Sequence, residues 1–228
     1  MGWMKPLGEE HLALFRRHMV EIVDMHVELA AEEIGKDRLD PRVRTALLRV
    51  QRHLFVPAQL AVAAHQDTPL PIGFDKTVSQ PFIGALMLDL LDVAPGDRVL
   101  EVGTGLGYQA AVMAEMGAEL WSVEIVEEFA NEATMRLRAF GYGDVQVRTG
   151  DGSRGWSEHA PFDKILVTAA APEPPQPLLD QLRPGGRLVM PLGGKDVQKL
   201  SVVEKKLDGT ATITEVMPVR FTQLERSA

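Results

Sequence analysis

The chain has no cysteine. That excludes disulfides, a thiolate nucleophile and any zinc site with cysteine ligands, and it fits a cytoplasmic protein. No apolar run is long enough for a membrane span. The opening MGWMKPLGEEHLALFRRHMV lacks the apolar core of a secretory leader. No cluster of basic residues suggests a polybasic membrane anchor. The net charge of −8 argues against nucleic acid as a partner, because phosphate backbones require a basic face. No internal repeat or low-complexity tract is found. What remains is a globular composition, 45% hydrophobic and 25% charged, and 228 residues are ample for a buried core in one domain.

The first part of the chain reads as helical. Leu12, Leu14, Phe15, Met19, Ile22, Val23, Val27 and Leu29 recur at helical spacing, which predicts a helix over 9–35 stopped by Gly35. A second helix is expected from Pro41 to about His53, with Asp40 as its N-cap. An irregular, proline-bearing stretch follows, then a helix over 80–91. Loops of that length inside a compact domain are usually functional.

From Asp97 the pattern changes to strand–helix alternation. RVLEVG, ELWSVEI, VQVRTGD, FDKILVTAA and RLVMPLG read as strands, with helices over 108–117, 126–141 and 175–186 between them. The end reads as antiparallel strands around Asp208-Gly209. The expected fold is α/β: a doubly wound, mostly parallel sheet with an N-terminal helical cap and C-terminal antiparallel strands. Residues 1–80 form the cap and a substrate-side loop, and residues 81–228 the cofactor-binding unit.

The stretch VLEVGTGLGY carries the first chemical signal. In such a sheet the first strand–helix turn lies at the mouth of the ligand crevice, and glycines let the backbone approach a ligand. No Lys-Ser/Thr pair follows, which excludes a Walker phosphate loop. A dinucleotide fingerprint fails at Tyr108, where a glycine is needed. The spacing E-x-G-x-G-x-G, with Glu101, Gly103, Thr104 and Gly105, resembles the cofactor loop of class I S-adenosylmethionine-dependent methyltransferases. Glu124 ends the next strand about 20 residues on, where a carboxylate can accept ribose hydroxyl protons. Asp151, beside Gly152, ends the third strand, where it can reach an adenine amino group.

Several separated segments then resemble one family, the protein-L-isoaspartate O-methyltransferases. These are RHLFVP at 52–57, the Thr77-Val78-Ser79-Gln80-Pro81 match to T-[IV]-S-x-P, the stretch from DGSRGW to VMPLG, and PVRF at 218–221. The likeness covers about residues 40–224. It implies methyl transfer from S-adenosylmethionine to the α-carboxylate of L-isoaspartyl residues, which then revert through succinimide toward normal aspartyl linkage. It implies that Thr77, Val78, Ser79 and Ile125 join Glu101, Gly103, Thr104, Gly105, Glu124, Asp151 and Gly152 around the cofactor. Ser79 would be the catalytic serine, orienting the acceptor carboxylate, or an N-cap for the following helix. Asp67 and Ala170 would face the acceptor. Isoaspartyl peptides or proteins are the expected partners, without nucleic acid or membrane, in a monomer or small homo-oligomer.

The departures from the family cluster around the acceptor. His65 replaces an aromatic, Asp75-Lys76 replace small or amide residues, Val50-Gln51-Arg52 replace Val-Pro-Arg, and Phe221-Thr222-Gln223-Leu224 replace F-V-P-L. Lys76 would either set a cation beside the acceptor carboxylate or pair on the surface with Asp75. Alternative functions are a specialised relative methylating one Asp or small acid, and a binding protein that has lost turnover. An RNA methyltransferase is disfavoured, since no Asn/Asp-Pro-Pro-aromatic stretch is present. His18, Glu21 and His26 are poorly spaced for a metal and read as solvated helix positions, so no metal site is expected. Trp121 and Trp156 could flank adenine, although Trp121 lies within a strand and reads as packing, and His159 reads as structural.

Overall fold

The computed structural model describes residues 8–227. The first seven residues of the opening segment, read above as neither leader nor span, lie outside that range. Among the described residues no helix is long and apolar enough to cross a membrane.

Helix α1 (Glu9–Leu29) buries Met19, Val20, Val23 and Val27 on one face. The helix expected over 9–35 is in fact two. The chain kinks at Ala30 and resumes as α2 (Ala31–Ile34), and Gly35 ends it at φ 73°. Helix α3 (Pro41–Arg49) starts as expected, with the Asp40 side chain accepting from the Arg42 backbone N–H. It stops short of His53 because Val50 turns extended, and Arg52–Phe55 form a 3-10 turn.

The irregular stretch holds more order than its sequence suggests. Two further 3-10 turns lead into a small hairpin, β1 (Leu70–Gly73) with β2 (Lys76–Val78). Phe74 and Asp75 form its turn, both left-handed at φ 50° and 55°, which is the twist a tight hairpin needs. Helix α4 (Pro81–Leu91) follows.

The sheet then builds through β3 (Arg98–Val102), α5 (Tyr108–Glu115), β4 (Glu119–Glu124), α6 (Glu127–Ala139), β5 (Gln146–Thr149), β6 (Phe162–Val167), α7 (Gln176–Gln181), β7 (Leu182–Gly193), β8 (Gln198–Lys205) and β9 (Ala211–Pro218). The expected helix over 175–186 ends at Gln181. Pro184 cannot continue a helix, and residues 182–186 join β7 instead. Strand order is β5-β4-β3-β6-β7-β8-β9, parallel through β7 and antiparallel beyond it. This is the doubly wound sheet with an antiparallel edge that the alternation predicts.

Period-two alternation sorts the strand residues onto two buried faces. Val99, Leu120, Leu166 and Val189 join the core beneath α1, α3, α4 and α5. Leu100, Trp121, Ile165 and Leu188 join the core on the other face. Met19, Val23 and Val27 of α1 belong to the same cluster as Leu86 and Val99, so one core runs across the 80/81 boundary.

Candidate active site

The strand order reverses around β3, which has β4 on one side and β6 on the other. Ligands bind outside the carboxyl ends of strands at such a point. A cavity of about 1490 Å³ opens there. Its wall combines the turn after β3, the end of β4, Thr168 after β6, the Thr77–Gln80 loop, His26 of α1 and the segment following β9. Small-molecule pockets usually measure about 300–1,000 Å³, so there is room for a cofactor and part of a second molecule.

The glycine turn is shaped by its neighbours. Gly103 has φ 95°, and a Cβ on it would lie 2.3 Å from Thr168 Oγ1. That hydroxyl donates to Gly103 O at 2.9 Å, fixing the end of β3 against β6. Glu124 is buried yet lines the cavity. Its Oε2 accepts from Gly105 N at 2.8 Å and its Oε1 from Val126 N at 3.0 Å. Each oxygen keeps a lone pair for an incoming hydroxyl, which suits a ribose diol.

The other two strand-end acids sit differently. Glu101 faces Ser122 across the β3–β4 register, is fully buried and does not reach the cavity wall. Ser122 Oγ donates to Glu101 Oε2 at 2.5 Å and lies 2.5 Å from Thr104 Oγ1, which does line the wall. Burial pushes the Glu101 carboxyl up to about 8, against the Ser122 hydrogen bond and with the Glu124 charge adding to the rise. Glu101 Oε1 has no protein partner, an orphaned polar atom one residue from the turn. Asp151 likewise lies behind the wall. Its Oδ1 accepts from Ser153 N and Oγ at 2.9 and 2.7 Å, and Ser227 N approaches Oδ2 at 3.2 Å. Gly152 and Ile125 line the cavity.

Thr77, Val78 and Ser79 lie together on the opposite wall. The N-cap reading of Ser79 is not met. Gln80, not Ser79, holds the N-cap position of α4, and its side chain makes no capping bond. Two buried charges hold this loop from behind. Arg52, 1% exposed, donates from Nε to Ala64 O at 2.8 Å and from Nη2 to Ser79 O at 2.7 Å. Its guanidinium stacks 4.7 Å from the Tyr108 ring centroid. Burial pulls it below the usual arginine range, countered by Tyr108 and Asp67. Asp67, placed on the acceptor side by the sequence reading, does not line the cavity. Its carboxylate accepts from Gln80 Nε2 and Phe82 N, both at 2.8 Å. Arg52 carries no signal in composition or spacing, and a reading focused on the wall passes over it.

Ala170 is also behind the wall, which Ala169 forms instead. Its backbone accepts from Leu224 N at 2.7 Å and donates to Thr222 O at 2.8 Å, pinning the final segment beside the cavity. Lys76 does not pair with Asp75. Asp75 sits in the left-handed hairpin turn while Lys76 opens β2, and Lys76 Nζ meets Glu225 of the C-terminal segment. Of the departures from the family, Asp75, Lys76 and Phe221–Leu224 line the cavity, and His65 and Gln51 do not. His18 and Glu21 are exposed on α1. His26 is not a solvated position: it lines the cavity with Nδ1 2.7 Å from Asp67 Oδ2. His159 stacks on Trp121 at 4.9 Å and meets Trp156 edge-on at 5.1 Å, and neither tryptophan lines the cavity.

Comparison with known proteins gives the family and the fold. A family model described as Protein-L-isoaspartate(D-aspartate) O-methyltransferase matches residues 25–227. The chain is 51% identical over 210 residues to protein-L-isoaspartate O-methyltransferase 2 of Syntrophobacter fumaroxidans, covering 92% of this chain and 85% of that one. It is 46% identical over 219 residues to protein-L-isoaspartate O-methyltransferase 1 of Polaromonas sp., covering 96% and 93%. A solved structure named protein-L-isoaspartate O-methyltransferase superposes with a TM-score of 0.78 at 28% identity, over 91% of this chain and 65% of that one. A Plasmodium falciparum protein solved with S-adenosyl-L-homocysteine has the same fold, with a TM-score of 0.78 at 23% identity over 93% and 99%.

Proposed function

The chain belongs to the protein-L-isoaspartate(D-aspartate) O-methyltransferase family, and from that premise we propose that it transfers a methyl group from S-adenosylmethionine to the α-carboxylate of L-isoaspartyl residues in damaged proteins or peptides. The observation that carries this reading is the single cavity with the glycine turn and Glu124 on one wall and the Thr77–Ser79 loop on the other.

The cofactor's sulfonium supplies an electrophilic methyl group. The Gly103–Gly105 backbone would admit its close approach, Glu124 would accept from the ribose hydroxyls, and Ile125 and Gly152 would flank the base. Thr104, tied through Ser122 to Glu101, places a buried acid behind the turn. Asp151, whose Oδ2 is approached by Ser227 N, would hold the adenine end.

The acceptor needs no general base, since a carboxylate is ionised at neutral pH. Its requirements are orientation and exclusion of water. Ser79 meets the first: no hydrogen bond among the described residues engages its hydroxyl, and it lines the cavity on a loop fixed by Arg52 and Asp67. The segment 221–225, drawn over the cavity by Ala170 and by the Lys76–Glu225 pair, meets the second.

The test is transfer of labelled methyl groups onto paired peptides differing only in an aspartyl or isoaspartyl linkage, with methanol release followed in parallel. Transfer to the isoaspartyl peptide alone is expected. Transfer to neither, with S-adenosylhomocysteine still bound, would overturn the repair reading and point to a dedicated acid acceptor.

A further inference from the structure

Several polar side chains on the acceptor side of the cavity are held by protein partners. The Gln80 amide is held by Asp67, Lys76 by Glu225, and the Gln198 amide by Gly194 O and Phe221 O. His26 is not. Its Nδ1 lies 2.7 Å from Asp67 Oδ2 but off the hydrogen-bonding direction, and its ring meets Phe82 edge-on at 5.4 Å. No hydrogen bond among the described residues reaches Nε2, and the ring lines the cavity. The carboxylate beside this ring holds Gln80 and Phe82 N, which places the ring next to the anchor of the Ser79 loop. A neutral imidazole that carries its proton on Nδ1 presents a lone pair at Nε2.

We infer that His26 is an acceptor-binding residue whose Nε2 accepts the amide N–H of the isoaspartyl residue while Ser79 holds that residue's carboxylate. This rests on the repair reading and gives it a basis for selectivity. In an isoaspartyl residue the amide nitrogen and the free carboxylate are attached to the same carbon. In an ordinary aspartyl residue a methylene separates the side-chain carboxylate from that carbon. A grip at two points that matches the first spacing leaves one point unmatched in the second. Such unmatched polar groups are what let a site discriminate.

The test uses the full chain, His26→Ala and His26→Gln, with an isoaspartyl peptide and its counterpart N-methylated at the isoaspartyl amide. His26→Ala should raise KM for the plain peptide about tenfold, as for one hydrogen bond, with kcat much less affected. S-adenosylhomocysteine affinity should not change, and His26→Gln, which keeps an acceptor, should recover part of the loss. N-methylation should cost the wild type a similar factor and cost His26→Ala nothing more. Losses that multiply, an unchanged KM, or a parallel fall in S-adenosylhomocysteine affinity would overturn the inference. A wild-type chain inactive on every isoaspartyl peptide would overturn the repair reading with it, whereas an active wild type with an indifferent His26→Ala sinks this inference alone.

Discussion

Arg52 offers the sharpest test of how Ser79 is placed. It is a buried cation with no carboxylate among its hydrogen-bond partners, and it is engaged by two backbone carbonyls, those of Ala64 and Ser79. Arg52→Met keeps most of the side-chain volume and removes both donors. A buried carbonyl deprived of its donor costs roughly 1–3 kcal/mol, so two give about 2–6 kcal/mol. Against this stands the relief of burying a guanidinium, several kcal/mol in the opposite direction. Because the carbonyls remain in place, the relief is incomplete, and a net loss of about 3 kcal/mol is expected. Urea denaturation would read it as a lower midpoint at unchanged slope. Arg52→Lys, a point charge able to serve one carbonyl well, should lose about half as much. The functional consequence is separate. A displacement of about 1 Å at Ser79 can cost on the order of a hundredfold in rate. Methyl transfer by folded Arg52→Met, measured well below its denaturation midpoint, should therefore fall in kcat more than in cofactor affinity. A variant within about 0.5 kcal/mol of wild type with unchanged kcat would show that the loop is held by packing and not by this charge.

Other outcomes follow from the same coordinates. The Glu101 carboxyl is raised from 4.5 to about 8, so the folded state keeps a proton that the unfolded state releases. Its contribution is present below about pH 4.5 and lost as pH rises toward 8. Glu101→Gln should therefore gain stability relative to wild type between pH 5 and pH 8, and a pH-independent difference in denaturant midpoint would refute this. His65 shows the opposite sign. Burial, then His53, Arg16 and Arg52, lower it from 6.5 to about 4. Its neutral ring is tolerated above pH 6.5, and stability is lost as pH falls through that window, by at most about 3 kcal/mol. His65→Phe should flatten the loss between pH 6.5 and 4.5, and parallel curves for the two proteins would contradict the assignment. Gly103→Ala meets both a left-handed φ of 95° and Thr168 Oγ1 at 2.3 Å. Cofactor affinity by calorimetry should drop at least about tenfold, and Thr168→Ala should restore only part of it because the φ strain remains. Lys76 and Glu225 form a partly exposed pair. A double-mutant cycle on stability should give less than about 1 kcal/mol of coupling, and a larger value would make the pair a structural tie.

The sheet and its glycine turn were legible because each rests on a local pattern. Short apolar runs such as Val99–Val102 and Leu120–Val123, each followed by a helical stretch, mark buried parallel strands, and a glycine turn after the first of them has few other uses. The short hairpin was not legible, since strands of four and three residues leave no alternation to read. Glu101, Glu124 and Asp151 look alike as acids at strand ends, yet only Glu124 reaches the cavity. The difference is register: pairing of Glu101 with Ser122 draws it into the sheet, whereas Glu124 is the last residue of its strand. The partnerships that hold the acceptor side are longer in range still. Lys76 meets Glu225, Arg52 meets Ser79 O, and His26 meets Asp67, each joining elements that no sequence spacing relates. His26 reaches Asp67 because Val23 and Val27 bury α1 against the core shared with α4, which turns the intervening position toward the start of that helix. The apolar face of α1 thus carries a polar contact at its edge, and a residue that looks solvated in the sequence becomes part of the cavity wall.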